Sequence, residues 1–113
     1  IVATPTGSTG YNLSVGGPII EPTSESWVLS PIAPHSLTMR PLVVTDRSLV
    51  DVTTDSRAAS SYLLRLDGRS ISLPVGSTVK LRRAPFVTRV VQRVGHHFAC
   101  ALRQKLLWGM DQR

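Results

Sequence analysis

The sequence predicts a mostly β domain, sandwich-like or built on a curled sheet, with one short helix near its start and one helix at its end. Three observations predict it. From Trp27 onward, short apolar runs recur about every 8–12 residues with turn residues between them. One of those turns, Asp67-Gly68, separates two alternating runs and is a hairpin signal, because such a turn needs positive φ. Near the end the apolar period lengthens to that of a helix, with Phe98, Leu102 and Leu106 recurring on one face.

Taken in order, the chain opens on a stretch rich in Gly, Ser, Thr and Pro, from Thr4 to Pro18. Pro5 favours an extended residue before it. Thr9 to Val15 lacks proline and predicts a short helix capped by Ser8 or Thr9. Gly16-Gly17-Pro18 should end that helix, since glycine accepts the left-handed cap and proline cannot continue the turn. Strands are predicted over Trp27–Ser30, Pro41–Val44, Leu49–Thr53, Tyr62–Leu66, Ser70–Leu73, Val79–Arg82 and Phe86–Val91. The final helix carries Arg103, Gln104 and Lys105 opposite its apolar face, with Lys105 in the last turn and Gly109 as the expected cap.

At 113 residues, 42% of them apolar, the chain predicts a single domain with one core, spanning residues 1–113. No apolar run approaches the roughly 20 residues that span a bilayer, so no membrane association is expected. No charged-then-apolar leader is visible, and the lone Cys100 cannot form an internal disulfide; a reducing, cytoplasmic setting is expected. Because the first residue is Ile1, the domain is expected to be a truncated piece of a longer chain. The net charge of +6 is uneven. Residues 80–113 hold eight basic residues against Asp111 alone, a net +7, while the first 79 hold five basic and six acidic residues, a net −1. A basic end of this kind suits an anionic partner, or simply a solvated face.

The chemistry concentrates in the opening loop. Thr6, Ser8, Thr9 and Ser14 bring four hydroxyls beside the permissive Gly7 and a predicted helix start. Such a loop presents backbone N–H groups and short polar side chains to an anionic or polyhydroxyl ligand. Tyr11 adds an aromatic face and a phenol. Composition alone also fits an ordinary capped turn.

The longer pattern is more specific. Thr4-Pro5-Thr6-Gly7-Ser8-Thr9-Gly10-Tyr11, followed by Ser14 and Gly16-Gly17-Pro18, resembles the signature loop of the NAD kinase family. Pro31-Ile32-Ala33-Pro34-His35-Ser36-Leu37 with Arg40–Val44 behind it, then Leu66-Asp67-Gly68-Arg69, then Leu102 to Asp111, follow in that family's order, and the ending is most similar to bacterial members.

The resemblance implies a carboxy-terminal, dinucleotide-binding β domain. It belongs to an enzyme that moves the γ-phosphoryl of ATP, or a phosphoryl of polyphosphate, to the adenosine-ribose 2′-hydroxyl of NAD, making NADP. It also implies a homo-oligomer and a divalent metal, Mg, arriving with ATP. By motif, Thr9, Gly10, Tyr11, Asn12, Leu13 and Ser14 are the dinucleotide-contact positions, and Arg69 matches a place where some relatives touch ligand. Thr9 and Ser14 should supply polar contacts and Tyr11 packing near the adenosine or nicotinamide. Gly10 departs from the alanine usual in the family and would cost up to ~1 kcal/mol if that residue is helical. The Gly-Gly-Asp-Gly block that carries the family's general base does not occur in this sequence, nor does the Asn-Glu pair of the nicotinamide-ribose site. This stretch by itself is therefore expected to be inactive, with no catalytic residue and no metal ligand.

Two other readings compete. A related lipid kinase shares the broad architecture but lacks the Thr-Pro-Thr-Gly-Ser loop. A basic β module for single-stranded nucleic acid could use Lys80, Arg82, Arg83 and Arg89, but only Phe86 lies among them as a stacking platform. The remaining candidates read as structural: His35 as a hydrogen-bonded histidine, His96-His97 as neighbours that do not converge on an ion, Cys100 as a buried small hydrophobe, and Trp27 and Trp108 as core or interface anchors.

Overall fold

The computed structural model describes residues 1–111; Arg113, counted above in the basic end, lies outside them. The chain divides into two compact units. One comprises Ile1–Asp46 with the chain from Ala84 onward, the other Arg47–Arg83.

The first unit is built on a three-stranded antiparallel sheet of β1 (Val2–Ala3), β2 (Ser26–Leu29) and β3 (Leu42–Thr45), with β2 in the centre. Register places Ala3 opposite Val28 and Val28 opposite Val43. Central position explains the burial pattern of β2: Trp27 and Val28 are both buried, Val28 completely. Ala3, Ile20 and Val28 form the core, with Ile1 packed against it. Trp27 is thus the anchor the sequence suggests.

The second unit holds two antiparallel pairs. β4 (Val50–Thr53) pairs with β7 (Thr78–Leu81), and β5 (Ser61–Leu66) pairs with β6 (Arg69–Pro74). The β5–β6 turn is the two-residue Asp67-Gly68 link, with Leu66 opposite Arg69. Asp67 takes the left-handed φ of +51° there, which a short polar side chain tolerates better than most. Among the described residues the strands therefore make three small sheets and no closed barrel, and strands outnumber helices as the pattern predicts.

Three expectations require correction. Phe86–Val91 forms no strand. Alternating apolar residues become a strand only where a neighbour offers a hydrogen-bonding edge, and none pairs with this segment among the described residues; Val91 is 99% exposed. The final helix, α2, spans Phe98–Leu106 and ends two residues earlier than Gly109 would suggest, because Leu107 itself adopts the left-handed cap at φ +54°. Phe98, Ala101 and Leu102 are only half-buried, Trp108 is 65% exposed and Cys100 is exposed. A four-residue period identifies the apolar face of a helix but not what covers it.

Candidate functional site

The opening loop does not form the single helix expected over Thr9–Val15. Pro5 is in the αR region and starts a 3₁₀ turn over Thr6–Thr9; the chain breaks at Gly10, and α1 spans Tyr11–Ser14. Gly10 closes the first turn, its N–H donating to the Gly7 carbonyl, and also stands at the cap position of α1. The helix-interior penalty for glycine consequently does not apply to it. Neither Ser8 nor Thr9 caps α1 through its side chain. Ser8 turns inward instead: its hydroxyl donates to the Pro5 carbonyl at 2.6 Å and accepts from the Ile20 N–H at 2.9 Å.

The helix stop behaves as predicted. Gly16 has φ +77°, its N–H donates to the Leu13 carbonyl at 3.0 Å, and the Gly17 N–H donates to the Asn12 carbonyl at 2.9 Å. That pair of bonds is a Schellman motif, satisfying carbonyls the helix would otherwise leave open. Gly17 is needed for a different reason. A Cβ placed on it would lie 2.0 Å from Oδ1 of Asn12, so only glycine lets the two segments approach this closely.

The site residues fall into two faces. Thr9, Gly10, Tyr11 and Ser14 are exposed, and Leu13 is half-buried. Tyr11 is 65% exposed, its ring free to receive a flat partner. Asn12 is buried, and its amide is fully committed within the protein. Nδ2 donates to the Ser8 carbonyl at 3.0 Å and to the Pro18 carbonyl at 2.9 Å, while Oδ1 accepts from the Ser30 hydroxyl at 2.6 Å. Two carbonyls facing Nδ2 fix which end of the amide is which. Ser30, in turn, exchanges backbone hydrogen bonds with Ile1 beside β1 and β2, at 2.7 and 2.8 Å.

Arg69 is exposed at the start of β6, in the other unit. His35 is exposed in the loop after β2.

A cleft of about 630 Å³ flanks the loop, with Thr6 and Thr9 on one side and His97, Phe98 and Lys105 on the other. Its size lies within the roughly 300–1,000 Å³ of small-molecule sites. Sequence reasoning treats the loop and α2 separately; the order of the family-like blocks is the one signal that joins them. Among the described residues no three His, Cys, Asp or Glu side chains gather in a way that could hold a metal ion.

Residues 1–93 match the family described as the ATP-NAD kinase C-terminal domain. The chain belongs to that family. Among curated relatives, the NAD kinase of Porphyromonas gingivalis strain W83 is 52% identical over all 113 residues, and that of Bacteroides fragilis strain ATCC 25285 is 44% identical over the same span. The chain covers 39% of the length of each. A crystal structure of yeast NADH kinase in complex with NADH superposes with a TM-score of 0.84 at 25% identity, across 99% of this chain and 36% of the yeast one. The family match thus takes in the loop and all of the strands, while the likeness to the yeast structure also takes in α2.

Proposed function

We propose that this chain acts as the dinucleotide-holding part of a longer NAD kinase, which phosphorylates the adenosine-ribose 2′-hydroxyl of NAD to give NADP. ATP or polyphosphate is the donor, and the enzyme works in the cytoplasm as a homo-oligomer. The observation that carries the reading is the two-faced loop: Ser8 and Asn12 are locked inside, so Thr9, Tyr11 and Ser14 are presented outward on a fixed backbone. Family membership and the NADH-bound yeast relative support it, and the same membership favours it over the lipid-kinase and nucleic-acid readings.

Phosphoryl transfer depends chiefly on positioning and on neutralising charge. The share assigned here to this chain is positioning. Tyr11 offers a face to an aromatic ring of the dinucleotide, Thr9 and Ser14 offer hydroxyls to its ribose or amide groups, and Gly10 and Leu13 shape the backbone between them. Arg69 is a separate candidate ligand contact, within the second unit. Mg would arrive with ATP and neutralise phosphate charge. Among the described residues no cluster of side chains fits a metal site of its own.

Calorimetric titration of NAD and NADP against the full-length enzyme tests the site. Tyr11→Ala should weaken binding by about 5- to 150-fold, the worth of one ring stack. Ser14→Ala should weaken it by about two- to twelvefold, the worth of one hydrogen bond. Unchanged affinity in both variants would reject the site.

A further inference from the structure

Asn12 occupies a motif position associated with ligand contact, yet it has no free hydrogen-bonding edge. Its three bonds join segments distant in sequence: the 3₁₀ turn through the Ser8 carbonyl, the helix stop through the Pro18 carbonyl, and the end of β2 through the Ser30 hydroxyl. Ser8, Asn12 and Ser30 are each at most 2% exposed, and Pro18 is half-buried. The neighbours of Asn12 on either side, Tyr11 and Leu13, take their direction from the backbone that this amide holds. Gly17 leaves the space it needs, since any Cβ there would overlap its side chain.

From this we infer that Asn12 is a positioning residue: with Ser30 as its anchor on the sheet, it sets the orientation of the Tyr11 and Ser14 face and so controls dinucleotide affinity without touching the dinucleotide. The inference rests on the dinucleotide reading of the loop.

The physical basis is the difference between holding a fold and aiming a surface. Ser30 is already secured to Ile1 by backbone bonds on both sides, so loss of its hydroxyl leaves the sheet intact. What is lost is the one bond tying the Asn12 oxygen to that sheet. The loop then keeps its bonds to Ser8 and Pro18 but gains freedom to tilt. A ligand must remove that freedom again on binding, and apparent affinity falls accordingly.

Steady-state kinetics of the full-length enzyme test this, using Ser30→Ala and Asn12→Asp beside the wild type and Tyr11→Ala. Ser30→Ala should raise the KM for NAD by about two- to twelvefold, the worth of one hydrogen bond. kcat and the KM for ATP should stay near wild type, while the melting midpoint falls by the modest amount expected when one buried acceptor is left without its donor. In Asn12→Asp, a carboxylate would face the Ser8 and Pro18 carbonyls. Protonation restores one donor and removes the repulsion, so the KM for NAD in that variant should improve as pH falls, with no parallel trend in the wild type. An unchanged KM for NAD in Ser30→Ala overturns the inference. So does a joint loss of kcat, both KM values and melting midpoint, which would mark the network as structural only. The underlying reading fails separately, if the wild type does not phosphorylate NAD or if Tyr11→Ala binds NAD as well as wild type does.

Discussion

All eight residues that are buried among those described lie in the first 46 positions: Ala3, Ser8, Asn12, Ile20, Trp27, Val28, Ser30 and Asp46. From Arg47 onward the strands keep their hydrogen bonds and turns but bury no residue to the same degree. Leu63 on β5 is 62% exposed and Ile71 on β6 is 45% exposed. The difference teaches where this stretch is self-sufficient. Four of the eight buried residues are apolar and four polar, and three of the polar ones, Ser8, Asn12 and Ser30, join the loop to the sheet by hydrogen bonds. Such a network specifies one arrangement when every member is satisfied, and it is costly to disturb. The hairpins, by contrast, are specified by register and turn chemistry and tolerate change on their open faces.

The sharpest break in the comparison is Gly17→Ala. Its new Cβ cannot coexist with Asn12 in place, because the nearest atom, Oδ1, is 2.0 Å away and belongs to a side chain held by three bonds. Either Asn12 leaves its partners or the helix stop moves. The expected cost is about 2–4 kcal/mol of stability, the range for stranding a buried polar group together with local overpacking. Urea denaturation of the full-length enzyme measures it, and a change under about 0.5 kcal/mol would show that the loop has slack the structure does not display.

Next in size is a matched pair across the two regions. Val28→Ala removes two methyl groups from a side chain with no exposure at all, and should cost about 1–3 kcal/mol from lost transfer energy and the cavity left behind. Leu63→Ser, on the open face of β5, should fall within about ±0.5 kcal/mol in a dissociated chain. Comparing the two by thermal unfolding at low and high protein concentration sharpens the contrast. A Leu63→Ser penalty that grows with concentration would place the β5 face in a subunit contact, in keeping with the proposed oligomer. Equal penalties for both variants at every concentration would erase the distinction between the regions.

Much of this was legible in the residues, for reasons that separate cleanly. Six of the seven predicted strands form because their apolar runs, bounding turns and the Asp67-Gly68 signal are all local. The seventh, Phe86–Val91, depends on a partner strand, and no local pattern reports one. The Gly16-Gly17-Pro18 stop was legible because positive φ at Gly16 is a backbone requirement. The role of Gly17 was not: its need arises from Asn12, five residues back, whose side chain reaches over it. The loop motif points to the candidate site in the chain but does not sort its residues by face. Hydroxyls and amides serve equally well inside as hydrogen-bonded struts and outside as ligand contacts. Ser8 and Ser14 are the same residue type six positions apart, and the Pro5 carbonyl and the Ile20 backbone draw the first of them inward.

The smallest expected effect on binding concerns Gly10, where the family resemblance implies alanine. The position is not helical: its φ is −92° and its ψ −134°, outside the main α and β regions that an alanine favours. Restricting the unfolded chain by adding a methyl group stabilises by about 0.4–1 kcal/mol when the native backbone is compatible. Against that, the new Cβ would sit 3.3 Å from the Gly7 carbonyl oxygen, a tight contact that costs a few tenths of a kcal/mol if the 3₁₀ turn yields slightly. The backbone at Gly10 forgoes that gain and the tight contact remains, so Gly10→Ala should cost up to about 1 kcal/mol of stability. Its effect on NAD affinity should stay within about twofold, because a methyl group between Thr9 and Tyr11 removes no ligand-facing group. Denaturant unfolding and NAD titration on the same variant check both numbers. A loss of stability above about 1.5 kcal/mol would mean the Gly7 carbonyl is held too firmly to move. In that case glycine at position 10 is matched to the geometry of this particular loop, and the rigidity ascribed to its buried face extends to the exposed one.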